Sequence, residues 1–433
     1  MRNLLSSISA KAPALFKKRI FNNFFYLILL QASNFIFPLL LIPYLVKTIG
    51  YDKVGLVFFA QSLMSYFIMV TDYGFNLTAT QQISVNRENK TKIAEVINAV
   101  LFTKLLLLVA GFVLLSSLIF IVQRFRSTPG LFYFSFLIVV GQTFSPNWFF
   151  LGLEKMRFIA ILSFAGKLSF LILVFFFIKD PAGYIYVNFF LGVGNIIVAI
   201  LMCLSMYSKV GLTLRFDLNE IKYQLKEGWL IFVSGFAINM YMSSNIFILG
   251  FYVNKSTLGY YSIAEKCYLA IRSVLGIFSQ VIYPRVCNMA ESGINELKIF
   301  YRKIMPYFLI FLIIGSISFY LLAPYIVFLF SHAKKDEIVF LARAFSALPL
   351  IVALNIPPYQ IIVVSKLKNS YGSILISASI LNILLNIFLA KIYGAIGTIA
   401  SIYVTELFVT IGMYLIIELK HRPLSIFFNH PTF

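Results

Sequence analysis

The sequence predicts an all-α integral membrane protein of about twelve transmembrane helices in two six-helix halves, and three observations carry that prediction. Of the 433 residues, 60% are hydrophobic and only 12% charged, about half the charged share of a soluble domain. The apolar residues come in blocks of about 20 or more, the length at which a helix crosses the hydrocarbon layer of a bilayer. The longest polar connector, SKVGLTLRFDLNEIKYQLKE at 208–227, falls after the sixth block.

In chain order the predicted spans are 22–46, 53–73, 94–122, 131–152, 158–178, 184–207, 229–252, 260–284, 304–330, 338–365, 371–390 and 395–417. Each is read from hydropathy. The parts are then a basic N-terminus (1–21), an N-lobe (22–207), a linker (208–227), a C-lobe (228–417) and a tail (418–433). Six is an even number of crossings, so the halves share one orientation, as parallel repeats do. An internal echo agrees: KVGLVFFAQS at 53–62 resembles TLGYYSIAEK at 257–266, aligning Gly55 with Gly259 and Ala60 with Ala264. The first apolar run is too long for a cleavable leader, so none is expected.

Orientation follows from Lys and Arg. With the N-terminus inside, 22 of the 36 fall in the N-terminus, the even-to-odd loops and the tail, nine in the opposite loops and five within spans. That bias places both termini in the cytoplasm. It also accounts for most of the net charge of +20 through basic segments facing an anionic leaflet, so no nucleic-acid partner is expected. Cys203, Cys267 and Cys287 show no pairing pattern, and His332, His421 and His430 lie in loops or the tail. Metal chemistry is not expected. A GxxxxGK[ST] loop is missing, since Gly166–Lys167 is followed by Leu inside a span. Intrinsic ATPase activity is therefore not expected.

Against this apolar background the polar residues form patterns. Span 8 carries Tyr261, Glu265, Tyr268, Arg272, Gly276, Ser279 and Tyr283 at steps of three and four, one face of a helix. That stripe is either a seam bonded to a neighbouring helix or the wall of a wet cavity. The cavity reading is favoured because a carboxylate and a guanidinium both need water or a partner. Span 1 carries Gln31, Asn34 and Pro38; span 2, Gln61, Ser65 and Asp72; span 7, Ser234, Tyr241 and Asn245. Five cations lie within spans, namely Lys104, Lys167, Lys266, Arg272 and Arg343, against Asp72, Glu265 and Glu406. An ammonium at the bilayer centre costs about 2.5–3.5 kcal/mol on insertion scales, which makes Lys167, near the middle of span 5, a functional candidate.

The run QASNFIFPLLLIPYLVKTIGYDKVGLVFFAQSLMSY, followed by DYGFNLTATQQIS, resembles the opening of the Wzx-type O-antigen flippases. These form part of the polysaccharide-transport branch of the multidrug/oligosaccharidyl-lipid/polysaccharide exporter superfamily. SPNWFFLGLEKM at 145–156, GYYSIAEK with VIYPR in span 8, and Asn382, Asn386, YGAIG and Glu406 extend the resemblance over nearly the full chain. It implies a two-lobed bundle around a central cationic cavity in the bacterial inner membrane. Its cargo would be an undecaprenyl-pyrophosphate-linked oligosaccharide, moved to the periplasmic leaflet by alternating access under an H+ or Na+ gradient. No cofactor is implied, and a polysaccharide polymerase and a chain-length regulator would be partners. The residue reading fits: Lys104, Lys167, Lys266, Arg272 and Arg343 would host the pyrophosphate. Gln31, Asn34, Gln61, Tyr241, Asn245, Tyr261, Tyr268 and Ser279 would face the sugars, and Asp72, Glu265 and Glu406 would couple the ion. Two alternatives stand beside it. A drug/cation antiporter of the same superfamily would be expected to carry more acids than cations. A membrane-embedded polysaccharide polymerase or glycosyltransferase would need catalytic carboxylates, which are not found.

Overall fold

The computed structural model describes residues 2–211, 215–292, 294–331, 335–365 and 367–420, and among them no strand occurs. The side chains of Gln31, Asn34 and Tyr241, and the tail beyond Lys420, lie outside the described residues. The first half comprises α1 (Arg2–Asp72), α2 (Phe75–Val85), α3 (Lys90–Ile121), α4 (Gln123–Arg126), α5 (Pro129–Phe144), α6 (Asn147–Gly152), α7 (Met156–Phe177) and α8 (Tyr184–Val210). The second comprises α9 (Leu218–Tyr252), α10 (Lys255–Ser292), α11 (Ile294–Ser331), α12 (Asp336–Ala344), α13 (Leu348–Leu354), α14 (Ile356–Val364) and α15 (Lys368–Lys420).

Eight helical stretches among the described residues are long and apolar enough to cross a bilayer, and a ninth, Leu218–Met240 with Ser243–Tyr252, is bent by 52°. Two of the eight, Ile36–Val85 and Ser370–Leu419, run for 50 residues each. Straight, each would span about 75 Å, over twice the hydrocarbon thickness. They break instead at Gly50 (φ 78°) and Gly394 (φ 58°), in backbone conformations that a side chain with a Cβ rarely tolerates. Span 8 corresponds to α10, which is not among the eight: Glu265, Lys266, Arg272 and Arg285 lower its hydropathy.

Two predicted spans are not single helices. Span 4 divides into α5 and α6 at Ser145–Pro146, because proline has no N–H to continue the ladder. Span 10 divides into α12, α13 and α14, with Pro349 and Pro357 in the opening turns of the last two. The irregular joints expose backbone groups that lipid cannot satisfy, so they survive only where protein covers them. Tyr403 Oη donates to the Ala344 carbonyl at 2.7 Å and Tyr414 Oη to the Leu354 carbonyl at 3.2 Å, covering two of these breaks.

The chain forms two compact units whose borders run inside helices. The first holds Met1–Leu41 and Met64–Val233, the second Ile42–Leu63 and Ser234–Phe433. In the first, Phe75, Ile83, Ile97, Trp148, Phe149, Phe150 and Met202 build a core at the meeting of α2, α3, α6 and α8. Buried Asn188 of α8 donates to Ser135 Oγ of α5 at 2.8 Å, a bond of about 0.6–2 kcal/mol between membrane helices. In the second, Val286, Leu297, Tyr301, Ile361, Ile362, Ala378, Val409 and Met413 pack together. Outward faces are apolar: α3 exposes Leu105, Leu106, Val109, Phe112 and Val113, a helical stripe of the kind that meets lipid tails.

Candidate functional site

In the first unit, Asp72 ends α1 and the chain turns through Tyr73 (φ 46°) and Gly74 (φ 83°). The turn brings Asn76 of α2 back, so that its Nδ2 donates to Asp72 Oδ2 at 2.9 Å. From α3, Lys104 Nζ donates to Asp72 Oδ1 at 3.2 Å. The Lys104 side chain is 2% exposed and that of Asp72 22%, with the ammonium 6.0 Å from the Phe75 ring centroid. Predicted as a host for an external anion, Lys104 is instead held by an internal carboxylate, and the reason is desolvation. A buried ammonium is tolerated only beside a compensating charge. Lys167 of α7 is different in kind: half-buried, it donates to Ser33 Oγ at 2.8 Å.

In the second unit the polar residues of α10 meet α12–α15. Arg272 Nη2 lies 3.3 Å from Glu406 Oε1, and its Nη1 donates to Tyr268 Oη at 3.2 Å. Asn355 Nδ2 donates to Glu406 Oε2 at 3.0 Å, and Thr410 Oγ1 donates to Asn355 Oδ1 at 2.5 Å. Glu406 is 1% exposed and Arg272 23%, so the Arg272 side chain is the more exposed member of the ion pair.

The stripe on α10 does not line water along its whole length. Tyr261 is fully buried and donates to Glu265 Oε1 at 3.1 Å; Glu265 and Tyr268 are also buried. Tyr268 stacks on Phe345 with centroids 5.1 Å apart and planes at 12°, and Tyr261 meets the same ring. Ser279 accepts from Gln360 Nε2 at both its carbonyl (2.9 Å) and its Oγ (3.1 Å), while Tyr301 Oη donates to Gln360 Oε1 at 2.5 Å. For Tyr261, Glu265, Tyr268 and Ser279 the seam between helices is therefore what forms. A periodic polar face reports that something polar covers it, and here that cover is protein rather than water. Space opens at Gly276, whose Cβ position meets nothing within 4 Å.

The remaining candidates are spread out. Lys266 lies 5.2 Å from the Phe58 ring centroid. Arg343 packs on Tyr320, its Nε donating to the carbonyl at 3.3 Å and its guanidinium 5.0 Å from the ring centroid. Gln61 is half-buried. Asn245 Oδ1 accepts from Asn386 Nδ2 at 3.2 Å, beside a chain in which Ser244 donates to Asn382 Oδ1 (3.1 Å) and Asn382 to Thr405 Oγ1 (3.2 Å). That neutral cluster joins α9 to both arms of α15. Among the described residues no group of three or more His, Cys, Asp or Glu is placed to hold a metal ion.

At one end of the second unit Asp52 accepts from Ser256 Oγ at 2.5 Å, and Tyr51 meets Tyr260 edge-on at 5.2 Å. Lys335 lies over both rings, 5.9 and 5.7 Å from their centroids, and the Tyr260 phenol beside it raises its pKa above the ordinary lysine value. In the first unit Tyr73 stacks on Phe232 at 4.6 Å, and the Gln82 and Gln224 amides bond each other in both directions, at 2.9 and 3.3 Å.

The family model described as polysaccharide biosynthesis protein matches residues 20–290. The chain belongs to this family. It is 31% identical over 406 residues to a protein of Escherichia coli (strain K12), covering 92% of this chain and 96% of that one. It is 25% identical over 398 residues to one of Shigella dysenteriae, covering 90% and 98%. Both bear the name "Putative O-antigen transporter". Among solved structures it resembles the lipid II flippase MurJ in its inward closed conformation, with TM-score 0.70, 15% identity, and 90% of this chain and 87% of that one covered. A multidrug resistance MATE family transporter of the MOP superfamily, inward-facing, gives TM-score 0.68, 13% identity and coverage of 91% and 95%. At such identities the likeness shows the fold alone, a helical bundle like those of these two proteins.

For this member of the polysaccharide biosynthesis family, sequence reasoning missed Ser33, Asn76, Asn355, Thr410 and Gln360. Thr410 lies four residues after Glu406 and so carried a helical-spacing signal. The others are joined to their charged or polar partners through the tertiary fold or a turn, for which no local pattern exists.

Proposed function

We propose that the protein is a flippase that carries an undecaprenyl-pyrophosphate-linked oligosaccharide, an O-antigen or related repeat unit, from the cytoplasmic to the periplasmic leaflet of the bacterial inner membrane. In this reading twelve crossings form two lobes around a cationic path, with both termini in the cytoplasm. The observation that carries it is full-length similarity to the two O-antigen transporter relatives, joined to cations at membrane depth. Lys167, bonded to Ser33, and Arg272, paired with Glu406, are the cations assigned here to the pyrophosphate. The prenyl tail stays in lipid, so the path need shelter only the polar head. Asp72 and Glu406, each paired with a cation, serve as the groups through which an H+ or Na+ gradient acts: neutralising either carboxylate releases its Lys or Arg. The MATE likeness keeps a drug/cation antiporter as the second reading.

The test is a deletion strain. Under the flippase reading it accumulates the lipid-linked repeat unit in the inner leaflet, and the wild-type gene restores surface polysaccharide. Normal polysaccharide with a change only in drug tolerance would move the assignment to the antiporter. Reporter fusions after Lys226 and Lys420 test the orientation; activity of an external reporter at either point would overturn it.

A further inference from the structure

Gln280 of α10 and Tyr359 of α14 are exposed, and both lie within predicted spans, 260–284 and 338–365. Two bonded levels fix how these helices lie in the second unit. At the first, Arg272 of α10 pairs with Glu406, which accepts from Asn355 at the start of α14. At the second, further along both helices, Gln360 Nε2 donates to the Ser279 carbonyl and Oγ. The two helices therefore run side by side in the same direction.

Helical geometry then sets which way the neighbouring side chains point, since each residue turns about 100° from the one before it. Measured from Ser279, the positions of Arg272, Gly276 and Gln280 are rotated by about 20°, 60° and 100° in one sense. Tyr359 precedes Gln360, so it is rotated by about 100° in the opposite sense from a position facing α10. On parallel neighbours those two rotations lead to the same side of the seam. Arg272, Gly276, Gln280 and Tyr359 thus share one wall, with Gly276 and Tyr359 between the two bonded levels. Tyr359 is 37% exposed, and its ring is braced by Tyr371 of α15, with centroids 5.3 Å apart. A Cβ on Gly276 would meet nothing within 4 Å, so the wall is recessed there. Lipid cannot hydrogen-bond an exposed amide, so a wall carrying Gln280 borders a polar path and not the hydrocarbon.

The order of groups along this wall fits a sugar joined to a phosphate. The guanidinium fork of Arg272 matches phosphate oxygens. Tyr359 donates its backbone N–H to the Asn355 carbonyl at 3.0 Å and so lies one turn, about 5.4 Å, beyond the Asn355 level. Its ring offers a flat apolar surface for the C–H face of a pyranose, and Gln280 supplies an acceptor and two donors for the hydroxyls. A bare diphosphate would use Arg272 alone, and an apolar drug would leave the amide unused. We propose that Tyr359 and Gln280 form the subsite for the first sugar of a diphosphate-linked glycan, next to the phosphate on Arg272. This subsite rests on the flippase reading and adds to it the residues that recognise the sugar.

The test is isothermal titration calorimetry on the full-length protein in detergent. The probes are farnesyl diphosphate and the same molecule carrying one glucose or one N-acetylglucosamine on its outer phosphate. Wild type should bind the tighter glycosylated probe about tenfold more strongly than the bare diphosphate, the scale of one aromatic contact. Tyr359→Ala should bring that preference to near unity, and Tyr359→Phe should keep it, because the ring and not the hydroxyl makes the contact. If Tyr359→Ala fails to fold, Gln280→Ala, at an exposed position, is read in its place. There the preference should fall about threefold, the scale of one hydrogen bond. A preference left at its wild-type value by the variant read would overturn the subsite. Equal binding of all probes by wild type would overturn the subsite alone; binding of none would overturn the flippase reading and the subsite with it.

Discussion

Gly55 and Gly259 pack backbone against backbone: a Cβ on Gly55 would lie 2.6 Å from the Gly259 amide nitrogen, and one on Gly259 would lie 2.1 Å from the Tyr51 carbonyl oxygen. These are the two residues that the internal echo aligns. The close approach of the two backbones there excludes any side chain. Gly259→Ala should therefore destabilise the protein by about 1–3 kcal/mol, the usual cost of overpacking. Gly276→Ala, in open space, should be neutral or stabilising by up to about 1 kcal/mol. Thermal melting in detergent reads both, and equal shifts would remove the close-packing argument.

The bond from Ser256 to Asp52 closes the same contact. In a background lacking Cys203, Cys267 and Cys287, Asp52→Cys/Ser256→Cys should cross-link under mild oxidation. If transport requires this contact to part, export should stop on oxidation and return on reduction. Full export by the cross-linked protein would show that the contact stays closed throughout the cycle.

Lys104 and Lys167 should fail in opposite ways. Lys104→Ala leaves Asp72 without its ammonium, at a cost of about 3–5 kcal/mol, so membrane-inserted protein should fall. Lys104→Met/Asp72→Leu should restore the amount of protein, because removing both charges removes the penalty. Lys167→Ala should leave protein levels normal and abolish or sharply reduce surface polysaccharide, while Lys167→Arg keeps much of it through the retained charge. Normal export by Lys167→Met would sink the anion-host role.

Arg272 and Glu406 form a pair in which Arg272 is the more exposed member. Arg272→Gln should strand the buried carboxylate and lower both protein level and transport, and Arg272→Gln/Glu406→Gln should recover the protein but not the transport. Recovery of both by the double variant would make the pair purely structural, and Glu406 would lose its place as a coupling group. Export in a polysaccharide assay, beside an immunoblot of the membrane fraction, separates these outcomes.

Much of the helical layout was legible in the sequence because hydropathy and helical period are properties of one segment at a time. The apolar blocks from 94 to 207 coincide with α3, α5–α6, α7 and α8 to within a few residues. The breaks within spans 4 and 10 were less legible. Pro146, Pro349 and Pro357 mark where a helix can stop, but a proline inside a membrane span kinks or ends the helix according to what surrounds it.

The site was legible as a set of residue types and not as a set of bonds. Lys104, Lys167, Arg272 and Glu406 were identifiable because a charge in an apolar run is costly wherever it sits. Which partner each one meets was decided by residues distant in sequence: Asp72 for Lys104 and Ser33 for Lys167. The same holds for the α10 stripe. Its period determined that Tyr261, Glu265, Tyr268 and Arg272 share a face, since 3.6 residues per turn is a property of the helix alone. Only the tertiary structure set Phe345 over the tyrosines and left space at Gly276, because what covers a helix face depends on where the remote α12 packs.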